Sequence, residues 1–428
     1  VFAPIRDLGI VVVDEEHEPS YKQEDRLRYH ARDLALVRAR DAGAVAVLGS
    51  ATPSLETLRR AQEGRLRTLR LPQRVDGRAL PAATIVDRKA TLAERGDPAL
   101  LTPALREALA QTVARGEQAI LFLNKRGHAR SLLCRSCGAA LGCPNCSVAL
   151  VLHRASGSAL KCHLCGHEEL PRPCAACGSD DLFPLSAGTE RVEEELRALL
   201  PAARIARLDR DSAGGPGKAE ALLARFARRE LDVLVGTQMV AKGHDFPGVT
   251  LVGALDADGP LHLPDFRAGE RCAQLLAQVG GRAGRGEQPG RVLLQAFRTG
   301  EPAVVAAAAH DYEGFARSEL ARRDLLSFPP YSRLCAVRLS GNVEARVQAA
   351  AERLAGRARE LLRGGALPVD VLGPAPAPIA RLRGKHRIQL LLRAREHGPI
   401  HRLCRALFDV PLPSGVEMTA DVDPVALL

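Results

Sequence analysis

The 428-residue sequence predicts an α/β protein with a double zinc-ribbon insertion and a C-terminal α+β domain. Three observations carry that expectation. Short apolar runs alternate with segments of helical spacing, as in parallel sheets joined by crossover helices. Eight cysteines lie between Cys134 and Cys177 as four C-x-x-C pairs. Past Phe328-Pro329-Pro330-Tyr331 the pattern changes to that of a small mixed domain of about 100 residues.

Taken in order, the apolar run 10–13 is a short buried strand ending in acids, 31–42 has helical spacing, and 45–48 is a second strand. Residues 70–98, rich in Pro, Gly and charge, read as a connector. Thr102 caps a helix over 102–115 with Pro103 at its first position, and 119–123 is a strand. After the cysteine block come a helix at 190–199, a strand near 204–208, a helix at 218–229, strands at 232–235 and 249–255, a helix at 269–279 and a strand at 291–296. The last unit has a strand at 334–340, a helix at 344–362, a strand at 388–393, a short helix near 398–407 and an end strand. The expected units are 1–97, 98–325 with an insertion at 133–182, and 326–428.

A C-x-x-C pair in a tight turn presents two thiolates to one ion, and two pairs complete a tetrahedral zinc site. Disulfides need an oxidising compartment, and no charged-then-apolar signal segment follows Val1. A redox site needs one pair, not four. The 15 residues between Cys146 and Cys162 suit one ribbon, made by Cys143, Cys146, Cys162 and Cys165. Cys134, Cys137, Cys174 and Cys177 then close a second site around it. The alternative is sequential pairing, across a loop of five residues between Cys137 and Cys143 that strains it. Cys272, Cys335 and Cys404 lie in apolar surroundings and read as small buried residues.

The formal charge is +10, from 60 Lys+Arg against 50 Asp+Glu, and favours an anionic partner, nucleic acid first. Eight thiolates with two Zn²⁺ lower the charge to about +6. The C-terminal unit carries 15 Lys/Arg against nine acids, so the case for DNA rests most directly there. Aromatics at 3% argue against extensive base-stacking surfaces. No apolar run of about 18 residues exists to span a membrane.

Asp14-Glu15-Glu16-His17 sits at the carboxyl end of a strand, where open α/β sheets bind ligands. Asp14 there can hold Mg²⁺ through water, and Glu15 can orient a water for attack on a γ-phosphate. Ser50-Ala51-Thr52 follows the next strand and can couple a nucleotide site to a moving lobe. The turn containing Gly243 and Asp245 can approach phosphates closely. Arg282 and Arg285, three apart on one helical face behind Gln278, suit a grip on a γ-phosphate across a cleft. Arg381, Arg383, Lys385 and Arg387 fall within seven residues as a phosphate-binding loop. Solvated loops and a basic helix end are the bland alternatives to each of these segments.

Together, these segments occur in the order of the superfamily-2 helicases. The chain further resembles the PriA family of primosomal replication-restart helicases (primosomal protein N′) along essentially all of its length. The likeness includes Ser20-Tyr21-Lys22-Gln23, Arg28-Tyr29-His30-Ala31-Arg32-Asp33, Phe122-Leu123-Asn124-Lys125-Arg126-Gly127, 188–195 and Asp421-Val422-Asp423-Pro424. The eight-cysteine insertion is its most specific mark. The resemblance implies P-loop-type helicase lobes, the first partial, and an ATP-dependent 3′-to-5′ DNA helicase that recognises stalled or abandoned forks and starts primosome assembly. It implies two Zn²⁺ and ATP with Mg²⁺ as cofactors. Asp14 and Glu15 would serve Mg²⁺ and water; Gly243, Asp245, Gln278, Arg282 and Arg285 would face the nucleotide. Tyr21 and Tyr29 would be what remains of a DNA-coupling aromatic loop at 19–30. Branched and single-stranded DNA, primosome proteins and single-strand DNA-binding protein would be the partners, in the bacterial cytoplasm with the nucleoid. The family's zinc pairing is the nested one.

The chain has no G-x-x-x-x-G-K-[ST]; Gly217-Lys218 is followed by Ala219. The family places that loop upstream of its DEEH, so the resemblance implies a chain truncated at its start, which binds ATP poorly and does not hydrolyse it alone. The competing readings are a non-enzymatic, zinc-stabilised DNA-binding scaffold that recruits primosome proteins, and an RNA helicase of the same superfamily, for which the insertion is unusual.

Overall fold

The computed structural model describes residues 1–427 apart from 24–26, 73–76, 78, 90–99, 124–131, 145–148, 154–158, 163–164, 185–188, 209–216, 238–239, 241–244, 263 and 364–366. The expected strand–helix–strand opens the chain: β1 (Ile10–Val13) pairs in parallel with β2 (Val45–Leu48) across α1 (Ala31–Asp41). Ala35 and Ala39 of α1 are buried, but Ile10 and Val12 stand exposed with Val45, so of the run expected as a buried strand only Val13 is buried. The helix α2 (Leu55–Gln62) starts at Ser54, whose side chain accepts from the Thr57 amide.

One strand falls where the sequence reads as a connector. Residues 82–87 form β3 (Ala82–Asp87), paired in parallel with a strand of the second unit, so the sheet boundary lies before residue 82 rather than at 97. As an edge strand it buries little: none of its six residues is fully buried, and Ala83, Ile85 and Val86 are half-buried.

The second unit continues with α3 (Pro103–Ala114), capped by Thr102 as expected, and the fully buried β4 (Gln118–Phe122). The insertion contributes five short strands: β5 (Leu132–Cys134), β6 (Val151–His153), β7 (Ala159–Lys161), β8 (Glu168–Glu169) and β9 (Leu182–Pro184). Then come α4 (Thr189–Leu199), β10 (Ile205–Leu208), α5 (Lys218–Ala227), β11 (Val233–Gly236), β12 (Val249–Ala254), α6 (Ala268–Gly280) and β13 (Arg291–Ala296). Two further helices, α7 (Pro302–Ala309) and α8 (Tyr312–Leu325), were not expected from the sequence. The six strands are ordered β10-β11-β4-β12-β13-β3, all parallel. A parallel sheet is apolar on both faces. Ile120, Phe122, Val252 and Leu294 pack beneath α6 and α7, while Ala119, Leu121, Val233 and Leu251 pack against Leu105, Leu109, Val192 and Leu196.

The C-terminal domain comprises β14 (Arg333–Gly341), α9 (Glu344–Arg363), β15 (Asp370–Leu382), β16 (Lys385–Ala394), α10 (His397–Phe408) and β17 (Val416–Val422). Its antiparallel sheet runs β15-β16-β14-β17. Cys335, Val337 and Leu339 face α9 and α10, while Leu334 and Ala336 face the other way. That other face is not bare. Leu334, Ala336, Leu391 and Leu427 share one core with Leu132, Leu141, Leu150 and Leu160 of the insertion and with Phe266 of the second unit. Cys272, Cys335 and Cys404 are buried, as the sequence suggests, and the Cys335 and Cys404 sulfurs are 3.5 Å apart.

The insertion also docks through Gly138, at φ +75°, where an added Cβ would lie 2.7 Å from the Phe297 Cβ and 2.8 Å from its carbonyl oxygen. Gly138→Ala combines a left-handed backbone with this close approach, so it should lower stability by about 1–3 kcal/mol in thermal unfolding. An unchanged melting temperature would contradict this docking.

Candidate nucleotide cleft and zinc centres

Where β1 ends, four consecutive residues do four different things. Asp14 and Glu15 are exposed, and Glu15 adopts the left-handed φ of +46°. Such a conformation is costly without glycine and persists where neighbours hold it. Here the Glu18 amide donates to the Glu15 carbonyl at 2.8 Å, and the Tyr21 hydroxyl donates to the Asp14 carbonyl at 2.7 Å. Burial, then the charges of Asp14, Glu18 and Glu15, raise the Tyr21 pKa and keep that hydroxyl a donor.

Glu16 is buried at 1% exposure and is structural, a role the sequence does not disclose. Its carboxylate accepts from Arg32 at 2.9 Å, the Ser54 amide at 2.6 Å and the Thr57 hydroxyl at 2.8 Å. It thereby fixes α1 and the start of α2 to the end of β1. His17 reaches outward: its Nδ1 lies 2.7 Å from the Ser50 hydroxyl and its Nε2 lies 3.0 Å from Gln278 Nε2 on α6. The first and second units thus meet through His17, with Ser50 on one side and Gln278 on the other.

The segment after Ser50 is docked onto the second unit. Gln274 donates to the Thr52 carbonyl at 3.3 Å, Tyr312 to the Pro53 carbonyl at 2.7 Å, and the Leu55 amide to Glu270 at 2.9 Å. Arg267 pairs with Glu56 at 2.6 Å. Burial opposes the Glu56 charge, but Arg267, Arg323 and Arg32 outweigh it and bring its pKa down to about 2. Arg323 bridges Glu270 and Glu319 at 2.9 and 3.0 Å.

Gln278 lies on α6 as expected, but Arg282 and Arg285 do not share a helical face with it. The helix ends at Gly280, with Gly281 as its cap, and the two arginines sit in the turns beyond. Gly284 at φ +68° lets this segment pass close to Gly290, a shape that a continuing helix would forbid. Arg285 lies 3.4 Å from Asp245. Burial and then the like charge of Arg285 lower the Arg282 pKa, against the pull of Glu15 and Asp245. A poorly solvated cation facing a second one favours an anionic ligand. Gly243 lies outside the described residues.

In the insertion, the sulfurs of Cys134, Cys137, Cys174 and Cys177 lie within 4.8 Å of one another, as do those of Cys143, Cys162 and Cys165. Cys146 lies outside the described residues. The close pairs, Cys134–Cys177, Cys137–Cys174 and Cys143–Cys165, are 3.5, 3.5 and 3.6 Å apart. Thiolates about 2.3 Å from a tetrahedral zinc stand about 3.8 Å apart, so both groups fit the ion, in the nested arrangement.

Arg381, Arg383, Lys385 and Arg387 form a hairpin tip rather than a loop. Arg383 and Gly384, at φ +50° and +80°, are the two turn residues between β15 and β16, and positive φ at both is the tight-hairpin geometry. Lys385 pairs with Glu417 at 2.8 Å. Tyr21 points toward Asp14, and Tyr29 packs edge-on against Phe2 at 5.3 Å.

Three family models match the chain: the primosomal protein N C-terminal domain at 324–425, the PriA DNA helicase Cys-rich region domain at 143–169 and the helicase conserved C-terminal domain at 185–287. The chain is 43% identical to the replication restart protein PriA of Bacillus subtilis over 410 residues, covering 96% of this chain and 50% of that protein. The PriA protein of Treponema pallidum is 42% identical, with 100% of this chain and 64% of that protein covered. The chain thus spans about half to two-thirds of the length of these relatives. A solved RecG bound to a three-way DNA junction is 17% identical, with a TM-score of 0.35, over 76% of this chain and 30% of that one.

Elemental analysis of the purified protein should find two zinc ions per chain, and Cys143→Ser should leave one. One ion or none in the unaltered protein would contradict the paired centres.

Proposed function

The chain belongs to the PriA replication-restart family, and from that premise we propose that it supplies the second ATP-binding lobe, the zinc module and the DNA-engaging C-terminal domain of an ATP-dependent 3′-to-5′ DNA helicase. The enzyme opens stalled or abandoned replication forks and starts primosome assembly. The observation that carries this reading is the cleft itself: exposed Asp14 and Glu15 on one side, Gln278, Arg282, Arg285 and Asp245 on the other, joined by the His17–Gln278 contact.

Asp14 would hold Mg²⁺, which would supply charge neutralisation at the phosphates. Glu15, held at positive φ, orients the attacking water. Arg285 trades its pair with Asp245 for a phosphate. A half-exposed pair at 3.4 Å contributes about 1 kcal/mol or less, so the exchange costs little. Arg282 gains in proton affinity from the same anion. By its sequence motif, Gly243 contacts the nucleotide together with Asp245. His17 and the docked segment 50–56 carry lobe movement to the first unit.

Branched and single-stranded DNA are the substrates, contacted by the hairpin tip at 381–387 and by the loop of Tyr21 and Tyr29. The zinc module is the surface for primosome proteins and single-strand DNA-binding protein. Among the described residues no helix is long and apolar enough to cross a membrane. Replication restart places the protein in the bacterial cytoplasm with the nucleoid.

In a protein carrying this chain within the full length of its relatives, Arg285→Ala should lower ATP turnover about 10³-fold or more, with little change in DNA binding. Unchanged turnover would remove Arg285 from the site. DNA binding without any turnover in the unaltered protein would favour a scaffold over an enzyme.

A further inference from the structure

Among the described residues, a polar contact across about 400 positions of sequence joins the nucleotide-site loop to the end of the last strand. Lys22 follows the short 3₁₀ turn at Pro19–Tyr21, and its ammonium lies 2.8 Å from the Asp421 carboxylate. It also donates to the Val422 carbonyl at 2.8 Å and the Asp423 carbonyl at 3.3 Å. The two charged side chains are 4% and 6% exposed. Two hydrogen bonds to backbone carbonyls and the ion pair with Asp421 hold the ammonium in place. Arg28, on the returning arm of the same loop, donates to the Ala420 carbonyl at 2.7 Å. The loop is closed on itself by the Gln23 amide donating to Tyr29 at 2.8 Å.

Both ends of this tether are rigidly held. Asp421 sits opposite Ala336 in the antiparallel sheet, and Ala336 belongs to the core shared with the zinc insertion. On the other side, the Lys22 amide donates to the Pro19 carbonyl, and Tyr21 holds the Asp14 carbonyl. Glu15 next to it keeps its left-handed backbone within that frame. The contact path from β17 to Asp14 and Glu15 thus runs through Lys22 and Tyr21.

We propose that the C-terminal domain sets the conformation of the nucleotide-site loop through the buried Lys22–Asp421 tether, so that DNA held by that domain is reported to Asp14 and Glu15. Lys22 and Asp421 are positioning residues: they act through Tyr21 and the 3₁₀ turn. The functional consequence, DNA-dependent control of ATP hydrolysis, rests on the helicase reading above. The physical coupling does not.

The test is amide hydrogen exchange at residues 14–23, with and without saturating branched DNA, in a protein carrying this chain within the full length of its relatives. The pair replacement Lys22→Met with Asp421→Leu fills the buried space with apolar atoms and removes the tether. In the unaltered protein, DNA should change exchange at 14–23 by about five-fold or more, the lower end of coupling between sites. In the pair replacement, at equal DNA occupancy, the change should disappear. Asp421→Asn keeps the shape, loses the charge and should give a smaller change than the unaltered protein. A full DNA-induced change in either variant, or none in the unaltered protein, overturns the proposal. ATP turnover on the same samples judges the helicase reading separately, since the exchange comparison does not require hydrolysis.

Discussion

The arrangement depends on one shared apolar core. Leu132, Leu141, Leu150 and Leu160 come from the cysteine-rich insertion, Phe266 from the second lobe, and Leu334, Ala336, Leu391 and Leu427 from the C-terminal domain. The insertion's strands are two or three residues long and cannot hold themselves together in water. Cysteine centres are what give such a segment a fixed shape, because zinc binding supplies folding free energy outright. Zinc held at these cysteines would therefore stand behind the seating of the C-terminal sheet as well as behind the insertion.

The cleft is assembled on this frame. Asp-Glu-Glu-His divides its labour: two acids face the opening, Glu16 is buried among Arg32, Ser54 and Thr57, and His17 crosses to Gln278. The stretch from Thr52 to Glu56 belongs by sequence to the first unit, yet its polar groups are met by Gln274, Tyr312, Glu270 and Arg267 of the second. Breaking those contacts would leave buried charges unpaired, which is strongly destabilising. Segment 52–56 is therefore bound to the second unit as firmly as to the first.

Much of this was legible in the residues. The alternating strands and helices, the Thr102 cap and the nested cysteine groups follow from local rules of period, capping and ligand spacing. What was not legible depends on partners far away in sequence. The strand at 82–87 follows a stretch rich in Pro, Gly and charge and is only partly buried, so its short apolar run does not announce itself. The run Leu334-Cys335-Ala336-Val337 has no polar face, because β14 is covered by helices on one side and by the insertion on the other. Arg282 and Arg285 have helical spacing, but the glycines around them end the helix first. The buried role of Glu16 and the Lys22–Asp421 pair could not be read at all, since acids after a strand and a lysine in a loop look solvated until the chain closes over them.

The zinc-dependent core is tested most directly by stripping both ions with a chelator and following amide exchange strand by strand. Protection at Leu334, Ala336 and Leu391 should fall with zinc loss, while β4, β11 and β12 of the six-stranded sheet stay protected. Undiminished protection of β14 and β16 after both zinc ions are gone would contradict the account.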